Sequence, residues 1–184
     1  MPSSPPMYIL DEERYKKITG NASDEIKQHL VYSLYTSMAR GQGFADSIGG
    51  RLRVSEADIH KKPDEPTKLE ARIVCEIDVT LDMLNGGGSL HGGCSAYLVD
   101  LCSTMPILAL SLSFQKGSPA PVSQVINMVY HSPARIGDNL RIISTSISLG
   151  TRSMSARSEI WNATHHRLVA SGVHIKMDPS PPKL

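Results

Sequence analysis

The stretch that decides the fold is residues 84–100, "LNGGGSLHGGCSAYLVD", in which five glycines surround His91 before the chain turns apolar. Beyond His91, apolar residues recur at steps of three and four, which predicts a long helix with one face in the core. They are Cys94, Tyr97, Leu98, Leu101, Cys102 and Met105. Gly92 and Gly93 would then present bare N–H groups at the positive end of the helix dipole, where an oxygen gaining negative charge is stabilised. The alternative is a tight strand-to-helix turn that needs glycine only for its torsion angles.

Asp100 interrupts the apolar run "YLVDLC". It is either a solvated residue at the flank of the buried face or a carboxylate with a catalytic role. At roughly 100° per residue, the path from His91 to Asp100 turns through about 900°, which places the two residues half a turn out of phase. One helix is therefore not expected to supply both residues to the same site. If both are catalytic, two copies of the helix lie side by side, which predicts a two-fold dimer with composite sites.

The segments around this helix predict mostly strands. Apolar and polar residues alternate over 69–81, and further strands are predicted at about 49–59, 122–130, 139–149, 153–162 and 168–177, with a helix over about 23–40. Because strands follow one another instead of alternating with helices, they predict an antiparallel sheet packed against the central helix. We divide the chain into an N-terminal arm and helix (1–44), a main domain (45–177) and a flexible tail (178–184). Pro106 falls inside the central helix and is predicted to kink or end it.

The composition argues against several classes of protein. The 184 residues suit one domain, and 19 basic against 18 acidic side chains lack the basic excess of a nucleic-acid binder. Cys75, Cys94 and Cys102 indicate buried thiols of a reducing compartment. No run approaches the roughly 18 apolar residues of a membrane span, and the start lacks a secretory pattern. We expect a cytoplasmic protein, with the mitochondrion and, because the final "PKL" is similar to "SKL", the peroxisome as alternatives.

Three stretches resemble the hotdog-fold acyl-coenzyme A thioesterases of the phenylacetate-type (PaaI-like) branch, particularly the thioesterase superfamily member 13 group. They are "LHGGCSAYLVDLCSTM" from residue 90, "VSQVINMVYHSPARIGD" from residue 122 and "ASGVHIKM" from residue 170. The resemblance covers roughly residues 45–177 and implies an α+β hotdog fold, an antiparallel sheet wrapped around a long central helix, with an N-terminal helical extension. It also implies a side-by-side homodimer, often paired further as a dimer of dimers.

The resemblance implies a role for each matched residue. Asp100 would be the general base or the nucleophile at the thioester carbonyl, acting from the neighbouring subunit, and the Gly92 N–H would polarise that carbonyl. Asn85 matches the residue that positions the attacking water. His91 matches the histidine that orients the thioester end, and Ser123 matches the strand serine that assists Asp100 or the water.

Other residues are candidates for binding the substrate. Gly93 shares the helix start with Gly92, while Arg135 and Arg152 are candidates for contacting the phosphates of coenzyme A. The alternative for each arginine is an ordinary surface charge. Lys176 is a weaker candidate for the same phosphates.

The sequence therefore predicts an acyl-coenzyme A thioesterase that releases a free acid and coenzyme A. The reaction needs an activated water and a positive pole for the developing oxyanion, so neither a metal nor a cofactor is expected, and coenzyme A is part of the substrate. Cys94 lies on the apolar stripe, which favours an inert core thiol over a nucleophile. Two alternatives stay open: a hotdog hydratase or dehydratase of enoyl or 3-hydroxyacyl thioesters, and a protein that binds acyl thioesters without turnover.

Overall fold

The computed structural model describes residues 12–38, 43–114 and 121–178. In chain order its elements are α1 (Glu12–Tyr15), α2 (Asp24–Met38), α3 (Asp46–Gly49), β1 (Arg53–Lys61), β2 (Leu69–Asp78), a 3₁₀ turn (Leu81–Met83), α4 (Gly92–Ser113), β3 (Val122–Tyr130), β4 (Asn139–Leu149), β5 (Ser153–Asn162) and β6 (Arg167–Met177). The strands predicted over 122–130, 139–149 and 153–162 are confirmed with these bounds, and the last strand begins one residue earlier than predicted.

The six strands form one antiparallel sheet in the order β1-β2-β4-β5-β6-β3. The central helix α4 packs against β2 through β6, so the sheet curves around it. Strand β3 crosses over to the edge of the sheet, where β6 is its neighbour among the described strands. The predicted α+β arrangement, an antiparallel sheet wrapped around a long central helix, is confirmed.

Helix α4 forms the centre of the core because apolar side chains cover most of its circumference. Leu98 and Cys102, from the predicted stripe, are completely buried. Pro106 was predicted to kink or end the helix; α4 continues past it to Ser113, so the second of these outcomes is wrong. The proline lacks one backbone donor, but its turn is buried against the sheet, and that packing favours a continuous helix.

By length and composition, α4 is also the one helix in the described ranges that could cross a membrane. However, 67% of its most apolar window is buried inside the protein. A mostly buried apolar helix is what the core of a sheet-wrapped domain requires.

Helix α2 joins the same core. Its residues Ile26, Leu30 and Leu34 are buried and belong to the cluster that contains α4 and the inner face of the sheet. The segment 55–68 forms most of β1 and the hairpin loop that leads to β2. The outer parts of the predicted N-terminal arm and C-terminal tail, residues 1–11 and 179–184, lie outside the described residues.

Candidate active site

Asp100 lies on the flank of α4, where three side chains from the sheet converge on one of its oxygens. Ser123 Oγ, on β3, donates a hydrogen bond to Oδ1 at 3.1 Å. From β6, His174 Nε2 lies 3.6 Å and Lys176 Nζ 3.8 Å from the same oxygen. The Asp100 side chain keeps 40% of its surface exposed. Because these contacts all involve Oδ1, the second oxygen, Oδ2, is the one left to face a water molecule or a substrate.

His174 and Lys176, the two basic side chains near Asp100, are buried, which disfavours their charged forms. Burial, reinforced by the positive charge of Lys176, lowers the pKa of His174 to about 4, against the opposing effect of Asp100. His174 is therefore neutral at pH 7, and its Nδ1 forms a hydrogen bond with the Ser103 hydroxyl at 2.7 Å. Burial also lowers the pKa of Lys176, while Asp100 opposes this effect. Lys176 Nζ donates to Thr104 Oγ1 at 3.0 Å, one turn along α4 from Asp100.

The start of α4 is capped by the side chain of His91. The backbone of His91 is extended, with φ −65° and ψ 134°, and its Nδ1 accepts the Gly93 N–H at 2.9 Å. In the described part of the chain, no acceptor takes the Gly92 N–H, the first donor of the helix. An N–H at this position carries the positive end of the helix dipole, so it can stabilise an oxygen that gains negative charge. The Gly93 N–H is taken up by His91, while Gly93 itself lines the groove that contains Asp100, and its role in binding substrate stays a prediction.

The glycine-rich loop before α4 is organised by Asn85. The Asn85 Oδ1 accepts the N–H groups of Gly87 at 2.9 Å and Ser89 at 3.2 Å. Gly88 has φ 72°, a left-handed conformation that glycine adopts without steric cost. The loop closes between Leu84 and Leu90, which form a β-bridge. The side-chain oxygen of Asn85 thus shapes the loop, and a role in positioning water stays a prediction.

Asp100 and Gly92 line two different grooves of one chain. Asp100 lines a groove of about 450 Å³ together with Phe44, Tyr97 and Ile126. Gly92 lines a second groove, of about 360 Å³, together with Ser95, Tyr130 and the loop 131–133. The two grooves have no lining residue in common. Gly92 lies about 80° from Asp100 around the helix, whereas Gly93, which is nearly in phase with Asp100, lines the Asp100 groove.

The two candidate arginines lie far from each other. Arg135 precedes β4, in the exposed loop whose residue Ala134 accepts the Leu90 N–H just before α4. Arg152 follows β4, in the exposed turn that leads to β5. They therefore stand at opposite ends of the eleven-residue strand β4, and only Arg135 is next to the start of α4.

Sequence reasoning missed the part of His174 and Lys176 in this site. Lys176, a weak candidate for contacting the phosphates of coenzyme A, is only 6% exposed and faces α4, and His174 has no exposed surface. In the structure Ala170, Gly172, His174 and Lys176 face the core, whereas the apolar alternation visible in the sequence, Val173, Ile175 and Met177, lies on the opposite face of β6, so the local pattern did not reveal them. Two ionisable residues on the buried face of a strand are uncommon and often mark a functional site.

Cys94 does not belong to the candidate catalytic groups. Its side chain is buried, and burial raises the pKa of its thiol to about 11, with a further contribution from the negative charge of Asp82. A thiol with such a pKa is almost entirely protonated at neutral pH and is a poor nucleophile. Across the described ranges, no three histidine, cysteine or carboxylate side chains converge as ligands for a metal ion.

Comparisons with known proteins agree with this architecture. A family model described as "Thioesterase superfamily" matches residues 87–169, a range that holds all of α4, Asp100 and Ser123 and ends before His174 and Lys176. Acyl-coenzyme A thioesterase 13 of Mus musculus is 35% identical over 105 residues, which cover 57% of this chain and 71% of the relative. The resemblance stated from the sequence motifs is thereby confirmed.

Solved structures show the same fold. Zebra fish thioesterase superfamily member 2 aligns with a TM-score of 0.65 and 30% identity, covering 81% of this chain and 96% of that one. The E. coli PaaI protein from the phenylacetic acid degradation operon aligns with a TM-score of 0.58 and 21% identity, over 81% and 98% of the two chains. A curved antiparallel sheet around α4 thus defines a hotdog protein. The chain belongs to the thioesterase superfamily and is an enzyme of the thioester hydrolase class.

Proposed function

We propose that the protein hydrolyses acyl-coenzyme A thioesters to a free acid and coenzyme A, at composite sites formed by two copies of the chain. The observation that carries this proposal is the placement of Asp100 and the unpaired Gly92 N–H on one helix but in different grooves. The name of the mouse relative supports coenzyme A thioesters as the substrate class. No metal or cofactor enters the proposed reaction, because a carboxylate and an oriented N–H suffice for it.

In the proposed reaction, Asp100 Oδ2 takes a proton from a water molecule while the water oxygen bonds to the thioester carbon. The carbonyl electron pair moves onto oxygen, where the Gly92 N–H of the other copy stabilises the negative charge. When the carbonyl re-forms, the C–S bond breaks and the thiolate leaves with the bonding pair. It then takes up the proton held by Asp100. In a variant of this path, Asp100 attacks the carbon directly and water cleaves the resulting anhydride.

The exposed edge of the sheet supports the two-fold assembly. Strand β3 presents Val125, Val129 and Tyr130 at 40%, 57% and 56% exposure. An apolar edge strand with unpaired backbone groups is a template for pairing with another strand. Pairing β3 with β3 of a second copy around a two-fold axis would extend the sheet, as an isologous interface requires. We propose this homodimer as the active form and propose that two such dimers pair further.

The first test compares thiol release from acyl-coenzyme A thioesters of graded length. Asp100→Asn removes the base with little change of shape and should lower kcat by at least about a hundredfold. Asp64→Asn, in the exposed hairpin loop, is the matched control and should release thiol at the normal rate. Equal rates in native protein and Asp100→Asn would overturn the proposal. Turnover of a crotonyl thioester without thiol release would instead favour the hydratase alternative.

The second test removes the proposed oxyanion donor. Proline is well tolerated at the first position of a helix, and His91 already has the extended backbone that a residue before proline prefers. Gly92→Pro should therefore keep the fold and delete only the N–H, lowering kcat by roughly 10²- to 10³-fold. Gly92→Ala, whose added carbon would lie 3.4 Å from the Tyr130 ring, keeps the N–H and is the matched control. It should lose much less activity than Gly92→Pro.

The third test asks whether two copies share each site. Asp100→Asn and Gly92→Pro subunits are unfolded together and refolded as an equal mixture. About half of the refolded dimers are then mixed. If the sites are composite, each mixed dimer has one intact site out of two, so activity should recover to about a quarter of the native value. No recovery, in a mixture shown by mass spectrometry to contain mixed dimers, would place both residues in a site of one chain.

A further inference from the structure

Tyr130, the last residue of the edge strand β3, contacts the backbone of Gly92. Its hydroxyl donates a hydrogen bond to the Gly92 carbonyl oxygen at 3.1 Å. Its ring covers the same residue, because a carbon added to Gly92 would lie 3.4 Å from two ring atoms and 3.5 Å from the hydroxyl oxygen. Tyr130 therefore touches the helix start through both its ring and its hydroxyl.

The peptide group between Gly92 and Gly93 is held at both ends. Tyr130 donates to its carbonyl, and His91 Nδ1 accepts its N–H at 2.9 Å. Two successive glycines at a helix end have more backbone freedom than any other pair, and ordering them is costly. The two side chains fix the orientation of this peptide. Because the Gly92 Cα joins it to the preceding peptide, they also limit the orientation of the Gly92 N–H.

The end of β3 does not need the Tyr130 hydroxyl for its own attachment. The N–H groups of His131 and Ser132 both donate to the Val169 carbonyl, at 2.8 and 3.2 Å. The Ser132 hydroxyl donates to the Leu168 carbonyl, and His131 Nε2 contacts Ser171 Oγ at 2.9 Å. The strand end is thus anchored to β6 independently, which leaves the Gly92 carbonyl as the partner that the Tyr130 hydroxyl serves.

We propose that Tyr130 is a positioning residue that keeps the Gly92 N–H aimed at the thioester oxygen. The inference rests on the proposed function, in which this N–H stabilises the oxyanion. Such stabilisation requires a donor that is already oriented when charge develops, and a misplacement of about 1 Å can cost a hundredfold in rate. The hydroxyl acts through Gly92 and does not itself touch the reacting atoms.

The kinetic test is Tyr130→Phe, which keeps the ring and removes only the hydroxyl. We expect kcat to fall roughly 10- to 100-fold while KM and the melting temperature stay close to the native values. Tyr35→Phe, at a partly exposed tyrosine of α2, is the matched control and should not change kcat. In a double-mutant cycle, Tyr130→Phe should have little further effect once Gly92→Pro has removed the N–H. Full additivity of the two losses would overturn the proposal.

A spectroscopic test does not depend on turnover. The infrared band of a carbonyl-labelled ¹³C thioester bound to Asp100→Asn reports how strongly the carbonyl is polarised. Adding Tyr130→Phe should move this band back toward its position in solution, and an unchanged band would refute the role of Tyr130. Failure of the proposed function would look different, because thiol release would then be insensitive to Asp100→Asn.

Discussion

Lowering the pH from 7 to 4 forces a proton onto His174 inside the core. His174 has no exposed surface, and burial lowers its pKa from 6.5 to about 4. The unfolded chain takes up this proton near pH 6.5, whereas the folded chain does so only near pH 4. The stabilisation is therefore complete above pH 6.5 and is lost as the pH falls toward 4.

The size of the effect follows from the two pKa values. They differ by about 2.5 pH units, and one unit corresponds to about 1.36 kcal/mol, so neutral His174 contributes about 3 kcal/mol near pH 7 that is absent at pH 4. The variant His174→Asn lacks the titrating ring and can keep a hydrogen bond to Ser103. Native protein should therefore lose about 3 kcal/mol more unfolding free energy than this variant between pH 7 and 4.

Urea denaturation followed by circular dichroism measures this difference. All proteins are compared at one concentration, because unfolding of an assembly depends on concentration. His60→Asn, at an exposed histidine of β1, is the control and should behave as the native protein does. If native protein and His174→Asn lose equal free energy on acidification, His174 is not buried as a neutral group and the reasoning fails.

Three further substitutions test the packing around the site. Gly172→Ala should destabilise the protein by about 1–3 kcal/mol in urea denaturation, because the added carbon would lie 2.7 Å from Met128 Sδ and 3.1 Å from Val99 Cγ1; an unchanged midpoint would contradict this packing. Leu98→Ala should cost about 2–5 kcal/mol, since it leaves a cavity in the centre of the core, and a loss below about 1 kcal/mol would show that the core collapses around it. Cys94→Ser should release thiol from substrate at the native rate, and native Cys94 should resist iodoacetamide at pH 8; rapid alkylation would refute the buried, protonated thiol.

The fold was largely predictable because local periodicity and global packing agree. In β4 the alternation that buries Leu140 and Ile142 is visible in the sequence, and the stripe that buries Leu98 and Cys102 gives the helix. The exception is Pro106, whose local preference for ending a helix is overridden by tertiary packing. Propensity is a weak guide wherever a segment is buried on all sides.

The site was predictable only in part. The motif residues Asp100 and Ser123 are brought together as the resemblance implies. The positions of His174 and Lys176 depend on the register of β6 against β3, in which Ile126 lies opposite His174. A shift of one residue would turn both side chains to the other face of the sheet, and no local pattern fixes that register. The contact between Tyr130 and Gly92 could not be predicted either, because the two residues lie on different elements of the fold.

The position of β3 in the sheet also has a consequence for how the chain folds. Strand β3 pairs with β6, matching Val122 with Met177 and Tyr130 with Ala170, while β4 and β5 lie between them in the sequence. Contacts between such distant segments form late, because a long loop must be closed before any pairing is gained. During synthesis on the ribosome, the valine-rich β3 therefore stays unpaired until β6 has emerged, and in that interval it can pair with other strands. Strand β3, which supplies Ser123 and Ile126 to the candidate site, is thus expected to be the last strand to pair.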